Sequence, residues 1–121
     1  TSNPTTFAQY GAIAALTGDQ SEITDMVEEY NIRRQYVLGR LNSIANISTI
    51  EPDGAFYFLI NIEKTGIKSV NFAEKLLSRM QVATIPGVAF GNDHSIRISY
   101  AASLPIIKEG LDRIEEFCKA H

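Results

Sequence analysis

Ile96-Arg97-Ile98-Ser99-Tyr100-Ala101 alternates apolar and polar side chains without a break. That period places Ile96, Ile98 and Tyr100 on one face of a strand and Ser95, Arg97 and Ser99 on the other. A single guanidinium is thereby carried on a stiff element and points away from the apolar face. The glycine-bounded stretch Pro86-Gly87-Val88-Ala89-Phe90-Gly91 precedes it and leaves room for a ligand to approach. Arginine presents a planar fork of donors that grips a carboxylate through two parallel hydrogen bonds. Arg97 is therefore the candidate carboxylate anchor. An arginine on the solvent side of a half-buried strand is also an ordinary surface residue, and these residues alone leave both readings open.

Upstream of this strand, Val82 to Ile85 reads as a short strand. Before it, Asn71-Phe72-Ala73-Glu74 resembles a capping box, with Ser69 as the competing cap of a helix running through Leu76, Leu77 and Met80. Earlier still, Ala55 to Ile62 forms a largely apolar strand with Phe56, Phe58, Ile60 and Ile62 on one face and Tyr57, Leu59 and Asn61 on the other. Apolar residues on both faces predict a central strand covered on two sides, or shielded by a partner. Glu51-Pro52-Asp53-Gly54 is the turn before it, and Ile47 to Ile50 a short strand. Downstream, Ser103 caps a last helix whose Ile107, Leu111, Ile114 and Cys118 make an apolar stripe, so Cys118 is a core residue.

Two helices open the chain. The first is predicted from Asn3-Pro4, as N-cap and first helical residue, to Leu16 or Thr17, with Gly18 as its stop. Phe7, Ala8, Tyr10, Ala12, Ile13, Ala15 and Leu16 cover most of its circumference, and such a helix expects burial against something larger. The second runs from Ser21 to about Ile44, with an acidic first turn that suits the helix dipole. Its length, about 35 Å, exceeds a small domain, so one end is expected to project towards another body. Arg33 and Arg34 read as solvated or carboxylate-paired helix residues. The order of elements gives an α+β fold: helices packed on a small, mostly antiparallel sheet, with a long N-terminal connecting helix.

Composition narrows the function. The chain has 121 residues, 45% hydrophobic and 21% charged, with a net charge of −3. That is ordinary for one soluble domain with a real core. No basic cluster supports nucleic-acid binding, and no apolar run is long enough for a membrane span. Thr1 to Thr6 is polar and uncharged, so no leader is expected, and a first residue other than Met predicts a chain that starts at a cut in a longer one. A single cysteine fits a reducing, cytoplasmic address. His94 and His121 stand alone, so no metal cluster is expected. There is no phosphate loop and no nucleophile elbow. The residues supply an anchor for a ligand and no machinery to transform it.

Three motifs in order carry a resemblance over essentially the whole chain: Pro52-Asp53-Gly54-Ala55-Phe56-Tyr57; Val82-Ala83-Thr84-Ile85-Pro86-Gly87 with Phe90-Gly91; and Ile96-Arg97-Ile98-Ser99-Tyr100-Ala101. They resemble the C-terminal part of class I pyridoxal-phosphate aminotransferases of the aspartate aminotransferase-like group. The resemblance implies that residues 1–20 are a remnant of the large cofactor domain and that 21–121 are the small C-terminal domain. It implies that Arg97 binds the α-carboxylate of an amino-acid or 2-oxo-acid substrate, and that Phe90 and Gly91 approach the substrate as the small domain closes. Ser2 and Asn3 resemble a stretch placed near a partner's cofactor across a homodimer interface; a plain helix cap is an equally good reading of them.

The lysine that would hold pyridoxal phosphate as a Schiff base is expected upstream of Thr1. No catalytic residue, bound cofactor or activity is then expected of this chain by itself. Two other readings compete. One is a stand-alone α+β domain that binds a small carboxylate without catalysis. The other is a structural module that self-associates through its first helix.

Overall fold

Alternation in two strands decides the layering. In the computed structural model, which describes residues 2–120, Phe58, Ile60 and Ile62 of one strand and Ile96 of its neighbour are fully buried on a single sheet face. The elements in chain order are α1 (Thr6–Thr17), α2 (Ser21–Ser43), β1 (Ser48–Thr49), β2 (Tyr57–Asn61), α3 (Ser69–Met80), β3 (Ile85–Pro86), β4 (Ser95–Ser99) and α4 (Leu104–Lys119). The strands form one four-stranded sheet in the order β1-β2-β4-β3. Every pairing is antiparallel, with Leu59 opposite Arg97 and Ile85 on the other side of Arg97.

Three helices cover one face. Val37 and Leu41 of α2, Phe72 and Leu76 of α3, and Ile107, Leu111, Ile114, Phe117 and Cys118 of α4 join the strand residues in one apolar core. The stripe expected on the last helix is thus buried as read, with Phe117 added. Its ring meets Phe72 edge-on at 5.0 Å and 79°, which locks α3 to α4. The α+β architecture is the one the sequence implies, with an entirely antiparallel sheet.

The boundaries differ where a tertiary bond outweighs a local signal. Helix α1 starts after Thr5, not at Asn3-Pro4, and Thr5 makes no side-chain cap. Gln9 reaches back instead, its Nε2 donating to Pro4 O at 3.0 Å. Asn71 is not a cap: α3 begins at Ser69, whose N–H and hydroxyl both bond to Asp93. The strand expected from Val82 shrinks to Ile85–Pro86. At the end of α3, Gln81 turns left-handed (φ 57°) and its N–H returns to Leu77 O at 3.0 Å, while that of Val82 reaches Leu76 O at 3.5 Å. This helix closure takes the donor a strand would need. Strand β2 starts at Tyr57 because Ala55 sits at φ 59°, a non-extended geometry held by the Tyr100 hydroxyl donating to Ala55 O at 2.8 Å.

On the second face of the sheet the structure removes one of the two expectations, cover on both sides within the chain, and leaves shielding by a partner. Strand β2 is central, yet Leu59 is 45% exposed, and Ile85 and Ser99 beside it are also exposed. Among the described residues no helix covers this side. The same holds for α1, of which no residue is buried, with Phe7 at 78% and Leu16 at 81% exposure. Ile23, Met26 and Val27 continue the bare apolar surface onto α2. Contiguous apolar patches of this kind drive association. The chain is expected to self-associate at high concentration in sedimentation equilibrium, and Leu16→Glu is expected to shift it towards monomer. A monodisperse wild-type monomer would contradict this.

Candidate functional site

Arg97 sits at the middle of β4, on the open face, between two rings. Its guanidinium carbon lies 4.3 Å from the centroid of Tyr57 and 4.6 Å from that of Phe90. Tyr57 comes from the neighbouring strand. Because Leu59 is directly opposite Arg97, Tyr57 is its diagonal neighbour on the same face, within reach of a long side chain. Phe90 comes from the other direction, at the end of a 3-10 turn, Gly87–Phe90. Each stacked ring contributes about 0.5–1 kcal/mol at an exposed site, and more when desolvated. The rings flank the guanidinium carbon, and among the described residues its N–H donors have no hydrogen-bond partner.

That turn can lie so close to the sheet only because of glycine. A Cβ on Gly87 would run into the Ser95 hydroxyl and into the backbone oxygens of Ser95 and Asn92. Gly91 ends the turn at φ 81°, in the left-handed region that glycine enters without strain, and its N–H bonds Val88 O at 3.1 Å. The segment read as a loop is therefore a built turn, and Phe90, 47% exposed, stacks on Arg97 and is not a core residue.

Electrostatic pairing separates Arg97 from four of the other arginines, and burial from the fifth, Arg79. Arg33 pairs with Glu29 at 2.9 Å and Arg34 with Glu51 at 2.6 Å, as their helix reading implied. Arg40 reaches Asp112 at 2.7 Å and Glu115 at 3.0 Å, and Arg113 pairs with Glu109. Arg79 is simply exposed. Arg97 is half-buried and, among the described residues, its guanidinium has no hydrogen bond or ion pair. A planar cation fixed by two rings with its donors unfilled is matched by a planar anion, and a carboxylate has the geometry to take two of those donors at once.

The other predicted residues fall elsewhere. Gly91 is next to Phe90 at the rim. Ser2 and Asn3 are exposed ahead of α1, and among the described residues neither makes a hydrogen bond to the sheet. His121 lies outside the described residues. His94 is exposed beside Lys68, with 3.3 Å between Nε2 and Nζ. Burial pushes the Cys118 thiol up to about 11, which keeps it a neutral core group. Lys64, Lys68, Lys108 and Lys119 are exposed and Lys75 is half-buried.

Two larger hollows lie apart from Arg97. One, about 730 Å³, runs along Met26, Tyr30, Arg34, Phe56 and Tyr100. Its Arg34 is already committed to Glu51, Pro52 O and Asn31. The other, about 300 Å³, lies between α4 and the sheet, where Arg113 bonds Met80 O. No lysine lines either hollow. Among the described residues no group of three or more metal-ligating side chains occurs, and no helix is long and apolar enough to cross a membrane.

Sequence reading placed Tyr57 on the face shared with Leu59 without joining it to Arg97. The missing step was strand register: alternation gives the face, and only pairing Leu59 with Arg97 brings the ring to the cation.

An α+β layer with a ring-clamped arginine on its open side is the class of structure that these features define. Over residues 1–114 the sequence matches the family described as aminotransferase class I and II, and the chain belongs to that family. It is 43% identical to an aspartate aminotransferase of Bacillus sp. (strain YM-2) over 124 residues, 98% of this chain and 32% of that protein. It is 39% identical to an aspartate aminotransferase of Bacillus subtilis (strain 168) over 126 residues, again 32% of the relative. Among solved structures, the aspartate aminotransferase from Rhizobium meliloti superposes with a TM-score of 0.92 at 33% identity, over 98% of this chain and 32% of that one. The aromatic aminotransferase from Pyrococcus horikoshii OT3 does so with a TM-score of 0.91 at 38% identity, over 97% and 32%. The chain thus spans about a third of the length of the relatives it matches, 32% in each of these cases.

Proposed function

We propose that this chain is the substrate-carboxylate-binding portion of a pyridoxal-phosphate-dependent aminotransferase of the aspartate aminotransferase type. The observation that carries the reading is the unpaired, ring-clamped guanidinium of Arg97. In the whole protein Arg97 holds the α-carboxylate of an amino acid or 2-oxo acid. Phe90 and Gly91 form the rim that closes over it and excludes water. Residues 1–20 belong with the large cofactor domain and 21–121 form the small domain. The bare apolar surface of α1 supports that division, because such a surface fits a protein body outside these residues. Ser2 and Asn3 face a partner's cofactor across a homodimer interface.

Pyridoxal phosphate, when bound, supplies the electron sink for the carbanion chemistry; the protein supplies binding and orientation. Only part of the orientation resides here. Lys64, Lys68, Lys75, Lys108 and Lys119 are exposed or half-buried, unlike the desolvated or cation-flanked lysines that form imines. The cofactor lysine accordingly belongs to the rest of the protein, and the chain alone is inactive. The test is to titrate the chain with pyridoxal phosphate, follow imine absorbance, and map any adduct after borohydride reduction. Scattered, substoichiometric labelling is the expected result. A stoichiometric adduct at one lysine would mean that the chain carries its own cofactor site, and would overturn this reading.

A further inference from the structure

Phe90 is half-exposed, and its ring meets the Arg97 guanidinium only if its turn is held in place. What fixes that position is a buried hydroxyl on a different element. Ser69, the first residue of α3, is fully buried. Its Oγ donates to Asp93 Oδ1 at 2.7 Å and accepts the N–H of Val88 at 3.3 Å. Its own N–H is shared between Asp93 O at 3.1 Å and Asp93 Oδ1 at 3.2 Å. One side chain therefore joins the start of α3, the 3-10 turn two residues before Phe90, and the lead-in to β4 four residues before Arg97.

We infer that Ser69 and Asp93 are positioning residues for Arg97: the Asp93–Ser69–Val88 chain of hydrogen bonds sets the turn so that Phe90 stacks on the guanidinium. A helix cap alone would not need this arrangement. Asp93 already accepts the Ser69 N–H at the helix start, whereas the bond from the Val88 N–H to the hydroxyl points away from the helix, into the turn. The remaining ties of the turn run within it or to β4: Gly91 N–H to Val88 O at 3.1 Å, Asn92 N–H to Gly87 O at 3.0 Å, and Ser95 Oγ to Asn92 O at 3.0 Å. Ser69 is the polar link from the turn to α3. The carboxyl of Asp93 is held below the usual carboxylate range, chiefly by the Ser69 hydroxyl, with Lys68 adding to it at 3.5 Å. The acceptor therefore stays ionised and the link closed at neutral pH.

The inference rests on Arg97 being the binding group, but its primary readout needs no ligand. The Hε proton of Arg97, on a guanidinium whose carbon lies over two rings, is expected to be shifted by their ring currents in an ¹⁵N-edited NMR spectrum of the whole chain. Phe90→Leu gives the value with one ring gone. Ser69→Ala is expected to move the Arg97 signal in the same direction as Phe90→Leu. The exposed control Ser78→Ala, on the same helix, should leave it in place. Asp93→Ala should follow Ser69→Ala, while Asp93→Asn, which keeps an acceptor oxygen, should restore most of the wild-type shift. Acetate titrations on the same samples are expected to show affinity weakened about two- to tenfold in Ser69→Ala, the cost of ordering one freed side chain.

An Arg97 signal that stays at its wild-type position in both Ser69→Ala and Asp93→Ala, with the spectrum otherwise folded, overturns the positioning role. If Ser69→Ala does not fold, Asp93→Ala against Asp93→Asn decides the matter. If the signal moves as expected but the wild-type chain shows no saturable acetate effect, the positioning role stands and the carboxylate reading fails.

Discussion

Arg97→Leu abolishes saturable carboxylate binding while leaving the fold intact. Two charge-assisted hydrogen bonds are lost together, each worth about 1.5–3 kcal/mol, so a fall in affinity of at least about 100-fold is expected. In acetate titrations the shifts of Tyr57, Phe90 and Gly91 should become linear and indistinguishable from those of surface residues. Stability is expected to change by less than about 1 kcal/mol. The substitution forfeits two ring contacts but sets a leucine between Leu59 and Ile85, its cross-strand neighbours. Arg97→Lys separates charge from shape. It keeps the cation and loses the planar fork, so partial recovery, well short of wild type, is the expected outcome. Full recovery by lysine would mean that the site reads only charge.

Most of the layering was legible in the sequence because it follows from periodicity. Ile96, Ile98 and Tyr100, and likewise Phe58, Ile60 and Ile62, face the helices by the two-residue repeat alone. The stripe of α4 follows from the helical repeat in the same way. Local cap signals misled where a distant group intervened. Asn71 has the right spacing for a capping box, yet Asp93, far along the chain, binds Ser69, and α3 starts three residues earlier than that cap implies. Arg97 was legible as a candidate, but its clamp was not. A Phe after a Pro-Gly segment is more often simply core, and Tyr57 meets the cation only through register. A sequence pattern assigns a side chain to a face; it does not say which side chain on another element lies opposite. The surplus hydrophobicity of α1 and of the second sheet face pointed to partners that the described residues do not include.

Neighbouring positions on β2 turn that last point into a measurement. Phe58 is fully buried and its ring centroid lies 5.5 Å from that of Tyr100, whereas Leu59 is 45% exposed on the opposite face. Phe58→Ala removes a large side chain from a closed core and is expected to cost about 3–5 kcal/mol. Against the roughly 5–15 kcal/mol that holds a domain together, this leaves the chain marginal. Leu59→Ala is expected to cost no more than about 0.5–1 kcal/mol in the same chain, because its side chain already meets solvent. Urea denaturation of both variants checks the contrast, with equal m-values as the condition for comparing midpoints. Equal losses would mean that the sheet is covered on both sides in solution, one of the two expectations that the apolar character of both faces of β2 supports. A large difference assigns the hydrophobicity of the Leu59 face to contacts made outside these residues. Repeating the Leu59 substitution in a longer form of the protein would then read out, as the added cost, how much of that face the remainder covers.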